Sequence, residues 1–229
     1  MSESSIGARL LSAAKFVRQG AVFADIGTDH AYLPVFLLRA GVIKHAVCSD
    51  INEGPLENAR KTALSWGVSD RISFSLSDGA DGLRDDVSDV AICGMGGELI
   101  AKIIDEAPSL RTKGVRLILQ PMTKQEHLRE YLDRNGFSVV GERYCTEAGK
   151  SYLVLAAEYT GKEPSENLSS VRYGTEAQKE RDAYENYLKV KLKSKRVAYE
   201  GLLAGGITDA ELYADVKYIE SLLVNSENA

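Results

Sequence analysis

Hydrophobic residues along this chain alternate between short continuous runs and longer segments in which apolar positions recur every three or four residues. Short runs are typical of buried strands, and periodic segments are typical of amphipathic helices. The runs predict strands at Val22–Ile26, His45–Asp50, Ile72–Leu76, Val87–Cys93, Val115–Gln120, Ser138–Tyr144 and Leu153–Tyr159. The periodic segments predict helices at about residues 5–18 and at Tyr32–Ala40, Glu53–Trp66, Glu98–Glu106 and Lys124–Asn135. This alternation predicts an α/β domain with a largely parallel, Rossmann-like sheet that carries helices on both faces.

The last two predicted strands are joined by residues 145–150 alone. Such a connection is too short for a crossover helix, so the two strands should form an antiparallel pair at one edge of the sheet. After residue 160 the chain becomes a polar linker, and two long helical segments follow at about residues 175–203 and 208–224. Gly205-Gly206 separates them, and Thr208 and Glu211 have the spacing of a capping box for the second. The sequence therefore predicts two domains, residues 1–160 and a helical hairpin or short coiled coil at residues 161–229.

Composition narrows the possible functions only slightly. The chain has 229 residues, 44% of them hydrophobic and 27% charged, which suits one core with a modest extension. The formal charge of −5 means that a nucleic-acid partner would have to be held by a local patch. Three cysteines without CxxC spacing favour free thiols over disulfides, and no metal site is expected. Because residues 1–5 are polar and no apolar run approaches about 18 residues, we expect neither a signal peptide nor a membrane span, and a cytoplasmic protein.

The loop after the first predicted strand has the most informative sequence. Asp25 and Gly27 end the strand, and Asp29 and His30 follow where a dinucleotide-binding loop would carry further glycines. Gly27 permits a sharp turn close to a ligand. A carboxylate at position 29 would repel a pyrophosphate but would attract a cation. The loop therefore favours S-adenosyl-L-methionine, which carries a sulfonium and an ammonium group and has no phosphate, although a solvated strand end is the alternative for this short motif taken alone.

The next two strands also end in acidic residues. Asp50 lies about 20 residues beyond the first loop, where a ribose-binding carboxylate is expected, and Ile51 and Asn52 continue that strand end. Asp78 and Gly79 close the third strand, from which Asp78 could accept the adenine amino group. A helix N-terminal acid and an ordinary Asp-Gly turn are the respective alternatives. We predict that these residues bind the adenosine part of the cofactor.

The fourth predicted strand runs into Gly94-Met95-Gly96-Gly97, which has an unusual density of glycine. Backbone without side chains can approach a ligand closely, so Gly94 and Met95 join the predicted cofactor site.

Four motifs together resemble the bacterial tRNA (adenine-N1)-methyltransferases of the TrmK family in order and spacing. They are Asp29-His30-Ala31-Tyr32-Leu33-Pro34, Gly94-Met95-Gly96-Gly97, Leu119-Gln120-Pro121 and Glu147-Ala148-Gly149-Lys150. The resemblance covers essentially the whole chain. It implies a class I methyltransferase sheet of seven strands with an antiparallel edge strand, S-adenosyl-L-methionine as methyl donor, and tRNA as substrate. The implied target is N1 of the adenine at tRNA position 22.

The chemistry of this target suggests catalytic residues. The N1 lone pair of adenine is free at neutral pH, so positioning should matter more than a general base. Methylation leaves the base cationic, and Asp29 is the first candidate to stabilise that charge. His30 and Tyr32 would orient Asp29 or contact the base, or else would pack between loop and helix. Because N1 lies on the Watson–Crick edge, the base must be unpaired or extruded. Residues 120–122 and 147–150 could line the opening that admits it. A strand-terminating proline and an ordinary hairpin turn are the alternatives, and we favour the structural alternative for Glu147 and Lys150.

Two other functions stay open from sequence. The acceptor could be a small molecule or a protein, or the fold could be a non-catalytic RNA-binding module that uses its helical hairpin for interaction. A cluster of basic residues on the first long helix could touch phosphates, although a solvated face is the default interpretation. The cluster consists of Lys189, Lys191, Lys193, Lys195 and Arg196. The sequence does not fix the oligomeric state, and we favour a monomer.

Overall fold

The computed structural model describes residues 6–174 and 180–227. One sheet of seven strands forms its centre, in the order β3-β2-β1-β4-β5-β7-β6. The strands are β1 Phe23–Ile26, β2 Ala46–Asp50, β3 Ile72–Leu76, β4 Asp89–Gly96, β5 Arg116–Thr123, β6 Phe137–Glu147 and β7 Lys150–Tyr159. The helices are α1 Ala8–Ala14, α2 Tyr32–Arg39, α3 Glu53–Ser65, α4 Gly97–Glu106, α5 Gln125–Arg134, α6 Leu168–Tyr173, α7 Arg181–Ala204 and α8 Ala210–Glu227.

The predicted fold class is confirmed. Strands β1 to β5 pair in parallel, and β7 pairs antiparallel with both β5 and β6. The antiparallel strand is therefore inserted next to the edge strand β6. This arrangement places the carboxyl ends of β1, β2, β3 and β4 along a single edge of the sheet, where ligands bind in open α/β sheets.

The structure changes the ends of several predicted elements. The segment Gly94–Gly96 continues strand β4, with register shifts against β5 at Cys93/Met95 and Met95/Gly96, and helix α4 begins at Gly97. The first helix covers Ala8–Ala14, which is shorter than predicted at both ends, and Gly7 with φ +81° precedes its start. The first predicted helix begins at about residue 5, and the first of the two long predicted helices begins at about residue 175. Residues 1–5 and 175–179 lie outside the described residues, so the structure tests neither of these starts.

Two features of the C-terminal region differ from the prediction. Helix α6 lies in the predicted linker, and its first turn is capped by Asn167, whose side chain accepts a hydrogen bond from the Ser170 N–H at 3.1 Å. Helix α8 is capped by Asp209, which accepts from the Leu212 N–H at 2.9 Å, so the predicted Thr208 capping box is wrong. Glu211 forms an ion pair with Arg172 of α6 instead of closing a capping box.

The core fills both faces of the sheet. On one face, α2 packs against β1 and β2, α3 packs against β2 and β3, and α1 packs against β5, β6 and β7. On the other face, α4 packs against β4 and β5, and α5 packs against β5 and β6. The predicted apolar stripe of α7 enters this second core through Tyr184, Leu188 and Leu192. Helices α7 and α8 pack against each other as a hairpin. No helix among the described residues is both long and apolar enough to span a membrane.

Candidate active site

The turn after β1 is fastened to the end of β2. The backbone N–H groups of Gly27 and Thr28 both donate to the carbonyl oxygen of Ser49, at 2.8 and 3.0 Å. Gly27 has φ +72°, and a Cβ built on it would lie 1.8 Å from Cε of Met95, which reaches over the turn from β4. A side chain at position 27 would therefore need both a disfavoured backbone conformation and the displacement of Met95. Glycine is required here for the close approach of these two loops.

Asp25 is the buried carboxyl group of this turn, with 8% of its surface exposed. Burial raises its pKa from 3.8 to about 6, and a hydrogen bond from the Thr28 hydroxyl at 2.5 Å opposes part of that rise. The ionised form of Asp25 is therefore destabilised at neutral pH, because few polar groups replace its lost hydration. A cationic ligand nearby would stabilise it.

The cavity at the carboxyl end of β1 has a volume of about 340 Å³ and contains the predicted loop. A second cavity, of about 380 Å³, is lined by other residues. The volume of the first cavity is within the range of small-molecule sites. Its lining includes residues predicted from the sequence, namely Asp25, Gly27, Asp29, His30, Tyr32, Gly94 and Met95. It also includes Arg9, Leu10, Thr28, Ala31, Leu33 and Cys93, which were not among the predicted site residues.

Arg9 brings a positive charge into this acidic cavity. It belongs to α1, and its Nη1 atom donates to Oε1 of Gln120 at 2.7 Å. The same oxygen accepts the Gly94 N–H at 3.1 Å, so the fully buried Gln120 ties the guanidinium to the end of β4. Glu147 accepts the Arg9 backbone N–H at 2.9 Å and thereby holds the start of α1. Sequence reasoning missed Arg9 because no motif surrounds it.

The outer part of the cavity is formed by Asp29, His30 and Tyr32. The His30 and Tyr32 rings are stacked, with centroids 5.1 Å apart and 13° between planes. His30 Nε2 lies 3.5 Å from Oδ2 of Asp29, whose side chain is 71% exposed. Tyr32 is 41% exposed, so neither ring is enclosed between loop and helix. Ala31 between them has φ +52°, a conformation of the kind that is often found at functional sites.

The residues predicted at the ends of β2 and β3 lie along the same sheet edge but do not line this cavity. They are Asp50, Ile51, Asn52, Asp78 and Gly79. One carboxylate oxygen of Asp50 accepts the Asn52 N–H at 2.8 Å, and the Asp50 carbonyl accepts the Ser77 N–H at 3.0 Å. Asp50 directly follows Ser49, the residue that holds the Gly27 turn. The acidic strand ends are thus neighbours along one edge, with Asp50 half-buried and Asp78 exposed.

The cysteines are free thiols, as the sequence indicated. Cys48 and Cys145 are buried, while Cys93 is half-buried in the cavity wall. Burial raises the pKa of Cys93, and the nearby Asp25 carboxylate raises it further. The protonated thiol therefore acts as a small apolar wall residue.

The sheet order and the acidic, glycine-containing loop at its carboxyl edge define a Rossmann-like methyltransferase. A family model described as a methyltransferase domain matches residues 6–155. The tRNA (adenine(22)-N(1))-methyltransferase of Bacillus subtilis is 36% identical over 159 residues, which are 69% of this chain and 67% of that protein. The crystal structure of Streptococcus pneumoniae Sp1610 in complex with S-adenosyl-L-methionine has a TM-score of 0.78 and 33% identity, and covers 94% of this chain and 98% of that one.

The structure of the B. subtilis M1A22 tRNA methyltransferase TrmK is also similar, with a TM-score of 0.75, 27% identity and 97% of each chain covered. This chain belongs to the TrmK family of methyltransferases.

Proposed function

We propose that this protein is an S-adenosyl-L-methionine-dependent tRNA methyltransferase that methylates N1 of the adenine at tRNA position 22. Family membership supports the reaction, and the named activity of the B. subtilis relative supports the target. The observation that carries the proposal is a single cavity that combines the carboxyl groups of Asp25 and Asp29 with the guanidinium of Arg9. Such a cavity suits a small ligand that has both cationic and anionic ends.

The charges of the cavity fit S-adenosyl-L-methionine. Its methionine part carries an ammonium and a carboxylate, beside a sulfonium, and it has no phosphate. Arg9 would hold the carboxylate in a charge-assisted hydrogen bond, while Asp25 and Asp29 would face the cationic groups. The absence of a side chain at Gly27 would let the backbone approach the ligand. A pyrophosphate would meet two carboxylates here, which disfavours nicotinamide and ATP-type ligands.

The adenosine part would extend along the edge towards β2 and β3. Asp50 would accept the ribose hydroxyls, with Ile51 and Asn52 beside it, and Asp78 with Gly79 would meet the adenine. The exposed Ile51, with 62% of its surface accessible, offers an apolar surface for the base.

When bound, S-adenosyl-L-methionine supplies an electrophilic methyl group on a positively charged sulfur. The protein needs no general base, because the N1 lone pair of adenine is already free. Asp29, exposed at the outer side of the cavity, would stabilise the positive charge that develops on the methylated base. The stacked His30 and Tyr32 rings would present a flat surface to an extruded base, which aromatic side chains commonly bind by stacking.

Methylation of tRNA also implies where the protein works. We infer a cytoplasmic enzyme, because that is where tRNA is found in bacteria, and we keep the expectation of a monomer.

The test is incubation of the purified protein with labelled S-adenosyl-L-methionine and unmodified tRNA, followed by mapping of the methylated nucleotide by mass spectrometry. Asp29→Asn should lower kcat about 100-fold, the scale for removal of one group that stabilises a developing charge. Asp70→Asn, a matched change at an exposed acid in the turn before β3, should leave kcat unchanged. A methyl group found on another nucleotide or another base atom would refute the proposed target.

A second measurement tests the cofactor residues separately. Hydrogen bonds to charged groups contribute about 1.5–3 kcal/mol, so Asp50→Ala should weaken cofactor binding about 10- to 100-fold in calorimetry. Unchanged affinity in this variant would remove Asp50 from the site.

A further inference from the structure

Gln120 belongs to the Leu119-Gln120-Pro121 motif, which the proposed function leaves without a role. Residues 120–122 were expected at the opening for the base, but Gln120 is fully buried, with 0% of its surface exposed. It is also not among the residues that line the cofactor cavity. Gln120 therefore does not reach a bound ligand, and it can influence the reaction only through the groups that it holds.

The side-chain amide of Gln120 is fixed by hydrogen bonds at both of its ends. Its Oε1 atom accepts from Nη1 of Arg9 at 2.7 Å and from the Gly94 N–H at 3.1 Å. Its Nε2 atom donates to the Pro121 carbonyl oxygen at 3.3 Å. Since a guanidinium and a backbone N–H are both donors, only the amide oxygen can face them. The amide thus holds two groups of the cavity wall, Arg9 and Gly94, from outside the cavity.

The Gly94 N–H is available to Gln120 because β4 bulges at this position. The residues on either side of Gly94 pair with Gln120 and Pro121 of β5, but Gly94 itself has no partner in that register. A bulge disrupts the ladder locally, and the φ of +81° at Gly94 lies in the left-handed region that favours glycine. The Gln120 side chain replaces the missing ladder partner. A Cβ built on Gly94 would lie 3.6 Å from Nη1 of Arg9, so the guanidinium packs against the bulge.

A neutral partner suits an arginine that must bind an anion. The cavity contains the carboxyl groups of Asp25 and Asp29, and either would attract an unrestrained guanidinium and neutralise it. The amide oxygen of Gln120 carries no charge, so it holds the guanidinium without neutralising it. The backbone N–H of Arg9 is held separately, by the carboxylate of Glu147 at 2.9 Å. Both ends of Arg9 are thus fixed, while its charge is left for a ligand.

We infer that Gln120 is a positioning residue, which aims the guanidinium of Arg9 at the carboxylate of the methyl donor and so makes the protein selective for ligands that carry this group. The inference rests on the proposed function, which assigns that carboxylate to Arg9. A ligand with the same adenosine and sulfonium but without the carboxylate gains nothing from an aligned arginine. Loss of Gln120 should therefore weaken the binding of the first kind of ligand and spare the second.

The experiment measures, by calorimetry, the binding of S-adenosyl-L-methionine and of its decarboxylated form, which differ only in the carboxylate. Gln120→Met removes the acceptor and keeps the approximate length and volume of the side chain. It should bind S-adenosyl-L-methionine about 10-fold more weakly than the wild type, which is the lower end for loss of a hydrogen bond to a charged group. Its affinity for the decarboxylated ligand should stay at the wild-type value, whereas a general distortion of the cavity would weaken both ligands equally.

A double-mutant cycle with Arg9→Met tests whether Gln120 acts through Arg9. Arg9→Met should show the same selective loss, and Gln120→Met added to it should cost no further affinity for S-adenosyl-L-methionine. Additive losses would show that Gln120 acts by another route and would overturn the inference.

Gln125→Met is the matched control. Its Nε2 atom donates to the same Pro121 carbonyl, at 3.4 Å, but Gln125 lies on α5 and does not line the cavity. The affinities of this variant for both ligands should match those of the wild type.

If Gln120→Met does not fold, Gln120→Asn takes its place, because its amide is one methylene shorter and cannot reach both Arg9 and Gly94. It should show the same selective loss. Unchanged binding of both ligands, or an equal loss for both, would overturn the positioning role and leave the methyltransferase function intact. A wild-type protein that binds S-adenosyl-L-methionine but does not methylate tRNA would overturn the proposed function, and the two ligands would still decide the role of Gln120.

Discussion

Asp25→Asn should make the protein more stable at alkaline pH while weakening its binding of S-adenosyl-L-methionine. The reason is the buried carboxyl group, whose pKa burial raises from 3.8 to about 6. Between these values the folded protein binds more protons than the unfolded chain, so its stability falls as pH rises through that interval. Above it, ionised Asp25 costs about 3 kcal/mol, at about 1.4 kcal/mol for each pKa unit.

The asparagine removes this ionisation and keeps an oxygen that can accept the Thr28 hydroxyl. Its amide brings a cost that does not depend on pH, so the informative quantity is the change in ΔΔG of unfolding between two pH values. From about pH 4.5 to about pH 8, the variant should gain about 2 kcal/mol over the wild type, since part of the penalty is already present at the lower pH. Urea denaturation at both pH values measures this change in ΔΔG of unfolding, and calorimetry measures how much more weakly the variant binds the cofactor.

Asp29→Asn is the control for this experiment. It removes the same charge from the same loop, but its side chain is 71% exposed, so the ΔΔG of unfolding should hardly change with pH. If the ΔΔG of unfolding for Asp25→Asn depends on pH as little as it does for this control, burial does not destabilise the ionised carboxyl group. If it shows the effect but binds the cofactor as tightly as the wild type, Asp25 is not a partner of the ligand's cation.

Three further predictions concern stability. Gly27→Ala should lower the free energy of unfolding by about 1–3 kcal/mol, because the added Cβ would clash with Met95 and φ at this position is +72°. The double variant Gly27→Ala/Met95→Ala should recover the part of this loss that the clash causes, and urea denaturation measures both. Ala148→Gly should raise the melting temperature, since relief of the left-handed conformation gains about 1 kcal/mol. Tyr187→Phe should be neutral or stabilising, because the buried hydroxyl lacks a partner among the described residues. Tyr173→Phe should cost about 1–3 kcal/mol, because the buried Asp215 carboxylate loses one hydrogen-bond donor, although Arg172 and Lys195 stay beside it.

Different outcomes would contradict each of these expectations. A double variant at 27 and 95 no more stable than the single one would show that backbone strain alone forbids the side chain. An unchanged or lower melting temperature at position 148 would mean that the turn adapts without strain. Equal losses for the two tyrosine variants would show that the Tyr187 hydroxyl contributes as much as the hydrogen-bonded hydroxyl of Tyr173, which would contradict its lack of a partner.

The order of strands and helices was predictable because each element is encoded locally. The short apolar runs and the helical periodicity marked the seven strands and most helices to within a few residues. Where the prediction failed, a tertiary contact decided the outcome. Helix α6 has only six residues and was not visible as a periodic segment; its Arg172 forms ion pairs with Glu130 and Asp215 of neighbouring helices. Asp209 caps helix α8 in place of the predicted Thr208, and Glu211 forms an ion pair with the same Arg172.

The sequence by itself determined the sheet and the edge at which the site lies. Parallel strands bring their carboxyl ends together, so Asp25, Asp50 and the glycines at the end of β4 had to be neighbours once the strands were known. Only the tertiary structure decided which distant side chains complete the site. Arg9 reaches Gln120 from 111 residues away, and nothing near it in the chain marks it as a ligand group. The same holds for Lys191 and Lys195 of α7, which form ion pairs with Glu126 and Asp215, because local sequence does not encode whether the fold places a carboxylate beside a cation.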